Sequence, residues 1–212
     1  MRKKANYILM ADVIGSRKAD QMKILKEFRN ITGKVNQDIG NQLLSPITIT
    51  LGDEFQSVAK DLQAALSIIF SIEETIIKTQ TTLKLRYVLV EGLIETPINP
   101  QIAYGMLGSG LTAAREKLIA LKKKKQRFNS SLQNKSLEKA INNTFVVLQA
   151  IIDSWKLKKD YYVVAEFLKS KDYKKVAVDL NKERSLIWKR EKSLKIEEYF
   201  ALKEVIHYLG TK

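Results

Sequence analysis

The chain has 212 residues, so it has room for one large globular domain or two small ones. Hydrophobic residues make up 45% of it, and it has only three prolines and nine glycines. This composition is neither collagen-like nor dominated by linkers. It contains no cysteine and one histidine, His207, which excludes disulfides, thiolate zinc sites, cysteine nucleophiles and clusters of histidine ligands. The formal net charge of +14 is uneven, because residues 1–118 carry +3 and residues 119–212 carry +11. The basic half is expected to bind a polyanion, although 29 of the 37 cationic residues are lysine and a general enrichment in lysine would give the same imbalance.

The first half of the chain is predicted to alternate strands and helices. Apolar spacing and turn residues predict the following elements in order: a strand over 5–11, a helix over 19–44, a hairpin with strands at 47–51 and 54–59, a helix over 60–79, a strand over 83–92 and a helix over 111–121. This order is the ferredoxin-like split βαβ pattern of the α+β class, in which helices cover one face of an antiparallel sheet.

The lysine run at 122–125 and the polar residues after it are the best candidate for a domain boundary, because they carry no apolar stripe. Five helices are predicted beyond it, at 136–154, 158–170, 173–180, 184–194 and 196–209. We therefore expect an α+β domain over 1–128 and an all-α domain over 129–212. No apolar run reaches the ~20 residues that a membrane helix needs, and the start of the chain lacks a full signal-peptide core, so we expect a cytoplasmic protein with no membrane partner.

Two acidic residues in the first half lie where the predicted sheet could bring them together. Asp12 ends the first strand and Asp53 lies at the hairpin tip, and in a split βαβ sheet these strands are neighbours. Two such carboxylates could share Mg²⁺ or Mn²⁺, and the backbone around Gly15, Ser16 and Arg17 could bind phosphates before the first helix. The alternatives are that Asp12 caps this helix and that Asp53 belongs to an ordinary turn.

The same segments carry a resemblance to known families. Residues 12–16, Asp-Val-Ile-Gly-Ser, resemble the first metal motif of class III nucleotidyl cyclases, and residues 51–55, Leu-Gly-Asp-Glu-Phe, resemble both their second metal motif and the hairpin of GGDEF diguanylate cyclases. Residues 85–92 and 104–115 follow the cyclase order of strand, loop and helix. Over nearly its whole length the chain resembles the SatD family, small bacterial proteins linked to acid tolerance that combine a cyclase-like domain with a C-terminal helix-turn-helix.

The resemblance implies a nucleotidyl-cyclase-like palm in which Asp12 and Asp53 are the metal ligands, helped by the Val13 carbonyl, and Arg115 steadies phosphate charge. Three positions depart from the cyclase pattern. Leu111 replaces an asparagine, Ile49 replaces the lysine that selects adenine, and Leu51 replaces the first glycine of GGDEF. The two predicted metal ligands match the cyclase pattern, whereas the residues for base selection and part of the transition-state support do not. A nucleotide or metal sensor is therefore favoured over an active cyclase, and no catalytic residue is assigned.

The basic half contains a predicted helix-turn-helix over residues 173–194. Val176, Ala177 and Leu180 give its first helix an apolar face, and Asn181 lies where the turn requires a residue that tolerates a left-handed backbone. The second helix would place polar and basic side chains in the major groove of DNA. The predicted DNA contacts are Arg184, Ser185, Lys189 and Lys192. The alternative is a helical bundle that binds protein and has a solvated basic face.

These observations give two hypotheses of different kinds. In the first, the chain is a DNA-binding regulatory protein with a nucleotide- or metal-sensing domain, and the resemblance implies a role in acid or stress tolerance. In the second, it is a Mg²⁺-dependent nucleotidyl cyclase or nucleotidyltransferase that uses Asp12 and Asp53. Because cyclase-like domains pair and paired helix-turn-helix units read two half-sites, a homodimer is expected in either case.

Overall fold

The computed structural model describes residues 5–16 and 20–212, and within these ranges the chain forms five strands and eight α-helices. The strands are β1 (Asn6–Val13), β2 (Leu43–Ile49), β3 (Glu54–Ala59), β4 (Leu85–Gly92) and β5 (Phe128–Ser131). The helices are α1 (Gln21–Ile39), α2 (Leu62–Lys78), α3 (Ser109–Leu121), α4 (Lys135–Ile152), α5 (Tyr161–Phe167), α6 (Tyr173–Asp179), α7 (Arg184–Ser193) and α8 (Ile196–Gly210). The predicted α+β class is confirmed. No helix in the described part of the chain is both long and apolar enough to cross a membrane.

The strands form one sheet in the order β2-β3-β1-β4-β5, with β1 at its centre. β1 is antiparallel to both of its neighbours, and its last residues pair with both, so that Asp12 lies opposite Glu54 of β3 and Arg86 of β4. Side chains alternate between the two faces of a strand, so these three cross-strand neighbours lie on the same face of the sheet. β5 pairs with β4 in parallel.

Both faces of the sheet are covered by helices, so the expectation of helices on one face is wrong. Leu9, Phe55 and Tyr87 point into a large apolar cluster with α1 and α2. Ile8 and Val88, on the opposite face, point into a smaller cluster that includes buried residues of α3. The central strands are therefore apolar on both sides, which explains why β1 and β4 appear in the sequence as nearly continuous apolar runs.

The structure differs from the sequence-based prediction at the end of α1, at the start of β2 and in an additional strand, β5. α1 ends at Ile39, and a short 3₁₀ turn leads into β2, which begins at Leu43 because this residue pairs with Ala59. Pro46 lies inside β2, an edge strand, where the pairing register with β3 shifts between Ser45 and Thr48, and an edge strand tolerates the missing N–H of proline. β5 was not predicted, because four residues are too few to form an apolar pattern.

The helices that follow β5 pack against the sheet helices. Tyr199 of α8 makes edge-on ring contacts with Phe70 of α2 and with Trp155, and the larger apolar cluster extends from the sheet through α4 to α8. The predicted division at residue 128 falls on the first residue of β5. The two halves share one core, and their division into separate domains stays a prediction.

A buried ion-pair network joins the two halves just before β5. Arg127, 4% exposed, donates hydrogen bonds to Glu73 Oε1 (2.6 Å), Asp153 Oδ1 (2.7 Å) and the carbonyl oxygen of Leu85 (2.8 Å). The hydroxyl of Tyr87 also donates to Glu73 Oε1 (2.7 Å). All the charges in this network are paired, as buried charges must be, and the network connects α2, β4 and α4.

Candidate functional site

A cluster of five charged side chains lies between the sheet and α3 at the end of β1. We call it the β1 charge cluster, and its members are Asp12, Glu54, Arg86, Arg115 and Lys122. Arg115 lies on α3 and Lys122 caps its C-terminal end. They are seven residues apart, so about two helical turns put them on the same face, and this face is directed at Asp12 and Glu54.

Each carboxylate of the cluster is paired with two cations. Asp12 Oδ2 lies 3.2 Å from an Arg86 guanidinium nitrogen and 3.4 Å from Lys122 Nζ. Lys122 Nζ lies 2.9 Å from Glu54 Oε1, and Arg115 contacts Glu54 Oε2. Lys122 thus bridges the two carboxylates. Three cations face two carboxylates, which leaves the cluster with a surplus positive charge.

The cluster is layered, with its carboxylates inside and two of its cations outside. The side chains of Asp12 and Glu54 are 4% and 9% exposed, whereas those of Arg115 and Lys122 are 42% and 38% exposed. Burial raises the pKa of Asp12, although Lys122 and Arg86 act to lower it. Burial acts to lower the pKa of Lys122, but the hydrogen bond to Glu54 and the charge of Asp12 outweigh it and raise that pKa, so Lys122 stays protonated.

Asp53 lies beside Asp12 in the backbone, but its carboxylate has a different partner. The Val13 N–H donates to the carbonyl oxygen of Asp53 (2.8 Å), and the Ser16 hydroxyl donates to Asp53 Oδ2 (2.6 Å). The alternative in which Asp12 caps the first helix is wrong, because Asp20 caps α1 by accepting from two backbone N–H groups. The two predicted metal ligands, Asp12 and Asp53, are thus close in the backbone, but their side chains contact different partners.

The described residues do not fit a Mg²⁺ or Mn²⁺ site. No three acidic or histidine side chains among them group closely enough to hold a metal ion. Asp12 Oδ2 is taken by Arg86 and Lys122, and Glu54 is paired as well. The other oxygen, Asp12 Oδ1, is buried with no hydrogen-bond partner within residues 5–16 and 20–212. A divalent cation at Asp12 would meet two positive charges already in place.

Two of the four predicted nucleotide-binding residues, Ser16 and Arg115, line cavities, and these cavities are different. Ser16 and Asp53 line one of about 310 Å³. Arg115 lines another of about 460 Å³, together with the exposed side chains of Tyr104 and Leu107. Gly15 is exposed in the turn after β1 with a φ of 78°, and Arg17 lies outside the described residues.

Three members of the charge cluster were not predicted as site residues: Glu54, Arg86 and Lys122. Lys122 belongs to the lysine run that was predicted to mark a domain boundary. The spacing of seven between Arg115 and Lys122 was the available signal for a shared helix face. Arg86 could have been found only through its pairing with Asp12 across the strands, which the sequence does not give.

In the basic half, α6 and α7 form two helices joined by a short turn. Asn181 has a φ of 48° in this turn, as predicted for a left-handed position. Ile187 and Glu191 of α7 are buried, whereas Ser185 and Lys189 are exposed on the opposite face and Arg184 is exposed in the first turn of the helix. Lys192 is exposed and pairs with Glu197 at 2.7 Å. Glu191, which stands at a position that usually holds an apolar residue, is accommodated as a buried carboxyl.

The mixed five-stranded sheet, covered on both faces and extended by five helices, defines an α+β protein. The sequence profile of the SatD family matches residues 7–209, and the chain belongs to the SatD family. A comparison with curated protein sequences finds no match.

Solved structures that the chain is similar to include three nucleotide cyclases. One is a bacterial light-regulated adenylyl cyclase (14% identity, 62% of this chain and 77% of that chain, TM-score 0.46). Another is the monomeric guanylyl cyclase domain of the RhoGC fusion protein from the aquatic fungus Blastocladiella emersonii (19% identity, 54% and 74%, TM-score 0.41). The third is the adenylyl cyclase CyaB from P. aeruginosa (16% identity, 56% and 73%, TM-score 0.43).

Proposed function

We propose that the chain is a DNA-binding regulatory protein that contacts duplex DNA through α7. The observation that carries this proposal is the exposed surface of α7, where Ser185 and Lys189 lie on the side opposite Ile187 and Arg184 is exposed in the first turn. Arg184 and Lys189 form no ion pair with any residue of the described ranges. Their charges are therefore available to phosphate oxygens and to the edges of bases.

The other side of α7 supports the same proposal. Ile187 is buried against the helices beneath, and Arg190 is held by Asp160, so one face anchors the helix and the opposite face is free. Lys192 pairs with the exposed Glu197, and it would exchange this weak surface pair for a phosphate contact. Trp188 is 47% exposed and could add apolar contact with a thymine methyl group.

The test is fluorescence anisotropy with a pool of random duplexes, followed by selection of the tightest site. Affinity should fall linearly with salt on logarithmic axes, with a slope of about −0.9 for each phosphate contacted. The double variant Arg184→Ala/Lys189→Ala should weaken binding about tenfold or more and reduce the slope. The matched control is Lys34→Ala/Lys60→Ala, which removes two exposed lysines of the sheet half. Equal weakening in both variants, or binding that ignores salt, would contradict the proposal.

We further infer that the sheet half binds a nucleotide, because Arg115 lines a cavity and Lys122 presents a second exposed cationic group at the Glu54 carboxylate that Arg115 contacts. Purine nucleotides, cyclic nucleotides and dinucleotides would be tested by thermal shift. A ligand at 100 times its Kd should stabilise the protein by about 2.7 kcal/mol. Arg115→Gln should lose the shift, and Arg29→Gln, an exposed arginine of α1, should keep it. A shift that persists in Arg115→Gln would place the ligand elsewhere.

Mg²⁺-dependent nucleotidyl transfer receives less support, since the carboxylates of Asp12 and Asp53 contact different partners.

A homodimer remains part of the proposal. Paired helix-turn-helix units read two half-sites about one helical turn of DNA apart, so the selected DNA site should be a near-palindrome. Light scattering coupled to size-exclusion chromatography would give the mass. A monomer, both free and bound to DNA, would contradict the proposed homodimer.

A further inference from the structure

We propose that Lys122 acts as a built-in counter-cation for Asp12 and Glu54, and that the β1 charge cluster binds the phosphates of a nucleotide without a divalent metal ion. This inference rests on the proposed nucleotide binding and specifies how the phosphates are held. The sequence suggested that Asp12 binds a metal ion. In this proposal Asp12 instead positions cationic side chains.

The position of the Lys122 ammonium group carries the first step. It lies 2.9 Å from Glu54 Oε1 and 3.4 Å from Asp12 Oδ2, between the two carboxylates. Arg86 contacts the same Asp12 oxygen at 3.2 Å. A divalent ion held by the other oxygen, Asp12 Oδ1, would still be repelled by the two cations that contact this carboxylate. The cation that neutralises Asp12 is thus already supplied by the chain.

The layering of the cluster carries the second step. The carboxylates are buried, and the two outer cations, Arg115 and Lys122, are about two-fifths exposed. A guanidinium group has five N–H donors and an ammonium group has three, so each retains donors that the carboxylates do not use. The inner carboxylates orient the outer cations, and the free donors face solvent, where a phosphate oxygen can reach them.

The convergence of these cationic groups suits phosphate oxygens. Arg115 and Lys122 are seven positions apart on α3, but their charged groups meet at the two oxygens of Glu54, so both can contact one phosphate group or two adjacent ones. Arg115 also lines the cavity of about 460 Å³, where Tyr104 and Leu107 present exposed aromatic and apolar surface. A nucleoside triphosphate could stack its base on that surface while its phosphates contact Arg115 and Lys122. The ligand class is therefore a nucleoside triphosphate, and inorganic triphosphate is its minimal form.

The experiment uses isothermal titration calorimetry of the full chain with GTP, ATP and inorganic triphosphate, each in EDTA and in MnCl₂. The wild type should bind with the same Kd, within about twofold, in both buffers. Lys122→Met should weaken binding about tenfold or more, because it removes a charge-assisted hydrogen bond. The control Lys124→Met removes an exposed lysine of the same run and should stay within about twofold of the wild type. Thermal unfolding of both variants verifies that they fold.

A second readout follows Mn²⁺ itself by electron paramagnetic resonance, without nucleotide. The wild type should bind no Mn²⁺ that depends on Asp12, and Lys122→Met should gain such binding, which Asp12→Asn then abolishes. Triphosphate binding that requires Mn²⁺ would overturn the inference and leave the nucleotide proposal standing. Asp12-dependent Mn²⁺ binding by the wild type would also overturn it. Failure of every triphosphate to bind would refute the nucleotide proposal and, with it, the phosphate-binding role inferred for Lys122.

Discussion

Gly92 and Gly110 face each other where β4 meets α3, and neither has room for a side chain. A Cβ atom on Gly110 would lie 2.6 Å from the carbonyl carbon of Gly92, and one on Gly92 would lie 2.5 Å from the Cα of Gly110. This contact brings the backbone of α3 directly onto the sheet. It sets the depth at which Arg115 and Lys122 meet Asp12 and Glu54, so the packing of two glycines positions the charge cluster.

Gly110→Ala should therefore destabilise the chain. The added methyl group meets backbone atoms that cannot move aside easily, and overpacking of this kind costs about 1–3 kcal/mol. The free energy of unfolding from urea denaturation is the measurement. Gly33→Ala in α1 is the control, because a Cβ there has no atom within 4 Å, and alanine should stabilise the helix by about 0.5–1 kcal/mol. A Gly110→Ala variant as stable as the wild type would mean that α3 can shift on the sheet.

Arg127→Met should cost about 3–5 kcal/mol of the free energy of unfolding. The change leaves the buried carboxylate of Glu73 without a cation, whereas Asp153 keeps its ion pair with Lys84, and an uncompensated buried charge is strongly destabilising. Lys125→Met, two positions earlier and exposed, should change the stability little. Guanidinium denaturation of the two variants side by side distinguishes loss of the network from loss of net charge. A small effect of Arg127→Met on the free energy of unfolding would show that the carboxyl group of Glu73 becomes neutral at little cost.

Glu191→Gln should raise the melting temperature at pH 7. Burial raises the pKa of Glu191, with Glu197 and Asp172 adding to the shift and Lys192 opposing it. Because the folded state holds the proton more tightly than the unfolded state, Glu191 costs stability as the pH rises from its ordinary pKa near 4.5 through the raised value. The gain in Glu191→Gln should shrink toward pH 4, where the wild-type carboxyl is also neutral. Glu198→Gln, an exposed position of α8, is the control and should show no such pH dependence.

Local patterns in the sequence predicted most of the secondary structure. The apolar stripe of α2, the hairpin around Gly52 and the left-handed turn at Asn181 were found because each depends on neighbouring residues. β5 was missed because a four-residue strand is defined by its parallel pairing with β4, about 40 residues earlier in the chain. Short strands that depend on distant partners carry little periodic signal.

The candidate site was predicted in its position but not in its contacts. The end of β1 was identified because Asp12 follows an apolar run, and the role of Arg115 was drawn from the family resemblance. The partners of Asp12 lie 74 and 110 residues further along the chain. Pairing over such distances is set by the sheet register and by the depth of α3. Asp12 and Asp53 were predicted to share a metal ion, but their carboxylates contact different side chains. Asp12 pairs with Arg86 and Lys122, and Asp53 accepts a hydrogen bond from Ser16.

The position of β5 in the chain also sets an order for synthesis. The nascent chain can assemble β1 to β4 and α3 first, but β4 then has one open edge, with a row of free N–H and C=O groups that can pair with another molecule. β5 pairs with this edge once residues 128–131 have been added, and its own outer edge is covered at Ser130, whose N–H and C=O pair with the side chain of Asn142 in α4. Products truncated before β5 and α4 should self-associate, because the edge of β4 then stays open.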